Sequence, residues 1–109
     1  MALLVVNPTS RAGVDILGEM QAADVLGDTW ANTGTEFVIV QAGPYGPVVV
    51  TLDITRTVDG QPVTDRTVNI PTGDMMAIGP FSTADYGTLS KVTYDDESDV
   101  SIGLFKVGT

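Results

Sequence analysis

The chain has 109 residues and a mass of 11.4 kDa, with 14 acidic residues against five cations, a net charge of −9, and neither histidine nor cysteine. That length allows one small domain, and a compact chain of this size buries roughly 65% of the surface its unfolded form exposes, enough for a core without metals or disulfides. The composition excludes imidazole general-base catalysis, thiol nucleophiles, disulfides and centres held by His or Cys, while the charge, with Arg11, Arg56, Arg66, Lys91 and Lys106 scattered, argues against direct nucleic-acid binding.

The first six residues, Met1 to Val6, are apolar but lack a basic flank and run into Asn7-Pro8, so they read neither as a signal peptide nor as a membrane span. Leu3, Leu4, Val5 and Val6 form a β-prone run that adds either to the domain's own sheet or to a neighbour's open edge. Asn7-Pro8 is expected to free this run from the domain's register, which makes the four aliphatic residues candidates for an interface. Residues 14–26 carry one helical-looking stretch broken by Gly18 and read as loop with a turn of helix. Residues 1–26 are therefore expected as an N-terminal arm and irregular segment, and residues 27–109 as the folded domain.

From Gly34 onward the period changes to alternation. Phe37 to Val40 are β-formers on both faces, as in a central strand. Gly43-Pro44-Tyr45-Gly46-Pro47 is a turn, and in the following run 48–57 Val48, Val50, Leu52 and Ile54 face one way. Asp59-Gly60 is a hairpin signal that calls for positive φ at Gly60, after which residues 63–70 pair back antiparallel with Val68 and Ile70 inward. Pro71-Thr72-Gly73 separates that strand from residues 74–78, and Gly79-Pro80 closes the latter. Two more alternating runs, 89–94 and 100–107, flank the acidic segment 95–99 and read as a terminal hairpin. With 43% hydrophobic residues and a mean hydropathy of +0.21 the chain is not disordered, and short strands with turns every 8–12 residues indicate a single all-β domain, an antiparallel β-sandwich or a small barrel. Its core is expected to include Phe37, Ile39, Val50, Leu52, Ile54, Val68, Ile70, Val92, Ile102 and Leu104.

Chemistry has few candidates. Asp95, Asp96, Glu97 and Asp99 place four of the fourteen acids within five residues, which raises hard-cation binding, but the alternation, central Gly and terminal Glu of a calcium loop are missing, and a solvated hairpin tip explains them. The hydroxyls of Ser10, Ser82, Ser90, Ser98 and Ser101 lack any base except Lys91, Lys106 or a carboxylate, and no Ser-Lys signature is present. Trp30, Tyr45, Phe81, Tyr86 and Tyr94 would suit sugar stacking if exposed, yet aromatics are only 6% of the chain and a sandwich core needs several. No cofactor is expected, and the chain does not read as an enzyme.

The segments Gly27 to Val40, Val48 to Thr51, Val68-Asn69-Ile70-Pro71-Thr72-Gly73, Ile78-Gly79-Pro80-Phe81 with Tyr86, and Lys91 to Tyr94, in their order and spacing, resemble the decoration or cement proteins of tailed-bacteriophage heads. The resemblance covers residues 27–107. It implies an antiparallel β-sandwich or jelly-roll-like domain and a virion protein, made in the host cytoplasm and mounted on the outer capsid surface, commonly as a homotrimer, whose partner is the major capsid protein and whose work is binding. In that setting Leu3 to Val6 would anchor a subunit–subunit or subunit–capsid contact. A phage tail or baseplate component, and a carbohydrate- or cation-dependent binding module, are the alternatives.

Overall fold

A computed structural model describes residues 2–44 and 46–108. Strand makes up 43% of the described residues and helix 8%, and the strands form two sheets packed face to face, the all-β sandwich that the alternation indicates. The strands are β1 (Ala2–Leu3), β2 (Val6–Pro8), β3 (Gln21–Ala22), β4 (Asp28–Ala31), β5 (Phe37–Gln41), β6 (Val48–Leu52), β7 (Thr57–Val58), β8 (Gln61–Pro62), β9 (Arg66–Ile70), β10 (Met75–Ile78), β11 (Leu89–Tyr94) and β12 (Ser101–Lys106). Two single-turn helices, α1 (Ile16–Glu19) and α2 (Thr83–Tyr86), lie between them. One sheet runs β1-β4-β11-β6-β9 and the other β10-β5-β12-β2, with β3 also paired to β12; β7 and β8 form a separate ribbon.

The inner faces follow the period of two. Val48, Val50 and Leu52 of β6 are buried while Val49 and Thr51 are half-buried on the other side, because successive side chains point to opposite faces. Val38 and Val40 of β5 and Ile102 and Leu104 of β12 meet them across the core. The opposite face of β5 and β12 is covered as well: the Phe37 and Phe105 rings lie 6.2 Å apart, and Met20 packs over Gly103, where an added Cβ would come 2.7 Å from the Phe105 ring and 3.1 Å from Met20 Cγ. Phe105 is fully buried there. The turn of helix expected within 14–26 is α1, capped by Asp15, whose Oδ1 accepts from Gly18 N at 3.2 Å.

Three expectations need correction. Residues 89–94 and 100–107 do not form a hairpin: β11 lies between β4 and β6 in one sheet, and β12 lies beside β5 in the other. Alternation shows which face of a strand is buried and leaves its neighbours open. The segment between them crosses from sheet to sheet, held at its start by Val49 N donating to Asp95 Oδ1 at 2.9 Å. The strand expected over 48–57 stops at Leu52, because Ile54 N turns to Asp65 Oδ1 (2.9 Å) and Thr55 N to Asp85 O (2.7 Å); Ile54 is half-buried, as are Phe37 and Val68, while the other seven expected core residues are buried. Finally, Asn7-Pro8 does not free the run before it from the domain's register. Val6, Asn7 and Pro8 pair in parallel with Leu104, Phe105 and Lys106, and the contact continues through Thr9 N to Lys106 O at 2.9 Å. Pro8 fits because β2 is an edge strand and its nitrogen, one residue out of step with Thr9 N, points away from β12.

Candidate interaction surface

The N-terminal segment passes from the edge of one sheet to the edge of the other. Ala2 and Leu3 pair in parallel with Asp28 and Thr29, Leu4 N donates to Thr29 O at 2.7 Å, and two residues later Val6 is already beside Leu104. Asn7 Nδ2 fastens the crossing by donating to Leu104 O at 3.1 Å and to Val5 O at 3.2 Å. Of the four candidate anchors, Leu4 is 5% exposed and belongs to the domain's core, Leu3 and Val5 are 65% and 75% exposed, and Val6 is half-buried against the core. The structure thus places only Leu3 and Val5 where another molecule would meet them.

Further exposed apolar side chains accompany them. Ala2 N donates to Gly27 O at 3.3 Å, so the strand carrying Leu3 runs alongside the turn carrying Val25 and Leu26, both exposed. Ile16 and Leu17 of α1 are exposed too.

The charge is distributed unevenly along the strands. At the end where β6, β10 and β12 start and β5, β9 and β11 stop, segments 23–27, 42–47, 71–74 and 95–100 bear Asp24, Asp74, Asp95, Asp96, Glu97 and Asp99 and none of the five cations. Arg56, Arg66 and Lys106 lie at the opposite end and Lys91 in between. The acidic run does not close into a cage. Asp95 is tied to Val49, Asp96 Oδ1 accepts from Ser98 N at 3.0 Å, which holds its pKa below the usual carboxylate value, and Asp99 takes positive φ beside Gly43. Among the described residues no three acidic, His or Cys side chains gather to hold a metal ion.

At the start of β4 lies a buried polar pair that the sequence did not disclose. Asp28 is fully buried, and its Oδ2 accepts from Tyr94 Oη at 2.6 Å and from Asp24 N at 3.3 Å, while Oδ1 has no partner among the described residues. Burial, followed by the bond to Asp28, pushes the Tyr94 pKa well up, so the phenol stays a donor at every ordinary pH. Tyr94 faces inward because it shares the parity of Ser90 and Val92 on β11.

The described aromatic residues raised for sugar stacking line the interior. Trp30 and Phe81 are buried with ring centroids 5.2 Å apart, and Phe81 meets Tyr86 edge-on at 5.1 Å; Tyr45 lies outside the described residues. Two of the serines have structural partners that account for their hydroxyls. Ser82 caps α2, accepting from Asp85 N at 3.4 Å and donating to Asp85 Oδ2 at 2.9 Å, and Ser90 is buried and donates to Tyr86 O at 3.3 Å. Comparison of the chain with protein-family models, with curated proteins and with solved structures finds no match.

Proposed function

We propose that this chain is a non-enzymatic structural protein of a bacteriophage virion, which binds major capsid subunits from outside and stabilises the shell. One observation carries the reading beyond the resemblance: of the eleven large apolar side chains exposed among the described residues, six (Leu3, Val5, Ile16, Leu17, Val25 and Leu26) fall in residues 3–26. Leu3, Val25 and Leu26 lie on adjoining segments, and exposed apolar groups that adjoin in this way mark an interaction surface. Burying each contributes about 1.5–3 kcal/mol before the costs of association are subtracted. Leu3, Val25 and Leu26 share their end of the sandwich with the acidic loops, so the complementary surface on a capsid subunit is apolar with a basic rim. Many weakly held copies on one lattice gain by multivalency, and a ligand that binds only the assembled state raises its stability.

The test is cosedimentation of the purified protein with empty capsids of the phage that encodes it. Wild type is expected to pellet with the shells, less so as salt is raised, and a Leu3→Asp/Leu26→Asp variant to bind at least about tenfold more weakly, equivalent to roughly 1.4 kcal/mol, with its far-UV spectrum unchanged. Wild type left in the supernatant, or a variant that binds as well as wild type, overturns the reading. Assembly into rings or fibres instead would move the protein to the tail or baseplate.

A further inference from the structure

We propose that two copies of this chain pair through β10, antiparallel, about a two-fold axis perpendicular to the sheet that β10 edges. β10 is the open edge of the β10-β5-β12-β2 sheet. Ala42 N donates to Asp74 O at 2.9 Å, one residue beyond the Met75–Gln41 pair. Bonded and non-bonded pairs alternate along an antiparallel ladder, so Met76 and Ile78 also bond toward β5, and the amides and carbonyls of Met75 and Ala77 point to the free edge.

A second β10 satisfies these groups in one register. Met75 exchanges two hydrogen bonds with Ala77 of the second copy and Ala77 two with its Met75, while the two Met76 residues face each other at the axis as a non-bonded pair, the closest kind. The register also preserves the faces, since directly opposed residues point to the same side of a sheet. Met76 and Ile78 border a groove of about 400 Å³ shared with Arg66, Val68, Phe81 and Tyr86. Ala77 borders another of about 300 Å³, shared with Phe37 and Val107 on the opposite face. An incoming strand places alternate side chains toward both grooves, the pattern of strand addition, and Met75 and Met76 are 41% and 36% exposed.

Charge selects a second copy as the occupant. In this register Asp74 stands opposite Ile78 of the second copy, on the face of the groove that Arg66 lines. Among the described residues neither the Asp74 carboxylate nor the Arg66 guanidinium has an ion-pair partner. The antiparallel arrangement sets the acidic end of one sandwich beside the arginine-bearing end of the other, and the two-fold repeats each contact. A four-residue edge is smaller than a standard interface, so the pairing depends on concentration.

Sedimentation velocity of the purified chain over a concentration series tests this, independently of shell binding. The expected result is a monomer–dimer equilibrium that Asp74→Lys and Arg66→Asp each weaken by about tenfold or more and that the double exchange restores. Ala77→Pro, which removes an outward N–H and leaves the ladder to β5 intact, should weaken it too. Asp74, Arg66 and Ala77 are exposed, and unchanged far-UV spectra and melting temperatures verify that the variants fold. A monomer at every concentration, a trimer, or a dimer indifferent to Asp74→Lys and Ala77→Pro overturns the proposal.

Discussion

The two long sides of the sandwich handle the same problem in opposite ways. On one side the chain steps from the edge of one sheet to the edge of the other within residues 2–8, and Leu4, at the step, is buried. On the other side the chain also passes between edges, from β9 to β10 through the turn at Pro71 to Gly73, where Asp74 N donates to Pro71 O at 3.0 Å. There the residue after the step is the exposed Met75, and a groove stays open between the sheets. An edge crossing seals a sandwich when it drives a side chain between the layers, and leaves a docking surface when it does not.

The sharpest way to break this comparison is to remove residues 1–8. Both β1 and β2 go with them, so the variant is expected to lose its cooperative unfolding transition; a folded, two-state truncation would mean that the N-terminal side is not a seal. Leu4→Ala should cost about 2–5 kcal/mol by urea denaturation, as buried leucines do, whereas Met76→Ala on the open side should stay within about 0.5 kcal/mol. Tyr94→Phe comes next, with a loss of roughly 1–3 kcal/mol, because it deprives the buried Asp28 carboxylate of its hydroxyl donor.

A pH titration sharpens the picture at the β4–β5 loop. Burial works to raise the Glu36 pKa, but the donors Thr33 N (2.8 Å) and Thr33 Oγ1 (2.7 Å) outweigh it and hold the value below normal. A carboxylate whose pKa is depressed on folding contributes stability above its unfolded pKa, about 4.3, and loses it as pH falls through the lower folded value. Glu36→Gln should therefore show a shallower loss of stability below about pH 4 than wild type. The smallest expected effect is that of Gly60→Val. Asp59 and Gly60 both have positive φ, 52° and 75°, as a tight hairpin reversal requires. Yet every residue of β7 and β8 is exposed, so this ribbon can fray alone, and the global cost should be about 1 kcal/mol or less by thermal melt.

Alternation made β6, β9, β11 and β12 legible, because period two is a strong local signal, while β5 was legible as a run of β-formers on both faces and β10 by the Pro-Gly turns that bound it. Alternation did not reveal that β11 and β12 belong to different sheets, since pairing is decided across the whole molecule. β4 was hidden because its inward positions are Asp28 and Trp30, and a buried carboxylate breaks the apolar pattern by which strands are found. The candidate interface was legible as a run but not as a surface. Leu3 to Val6 are four consecutive aliphatics, which carry no period, so only the pairing with β4 and β12 separates the buried Leu4 from the exposed Leu3 and Val5.

The position of β12 has a kinetic consequence. Residues 101–106 lie in the interior of their sheet, with β5 on one flank and β2 and β3 along the other, so during synthesis β2, β3 and β5 must wait for β12, which follows all the other described strands in the chain, to emerge. Apolar residues of the early strands stay uncovered meanwhile, and pairing across such sequence separation is slow. That sheet therefore closes only once β12 has arrived, and the interval before it does is when the early strands are most exposed to aggregation and to chaperone capture.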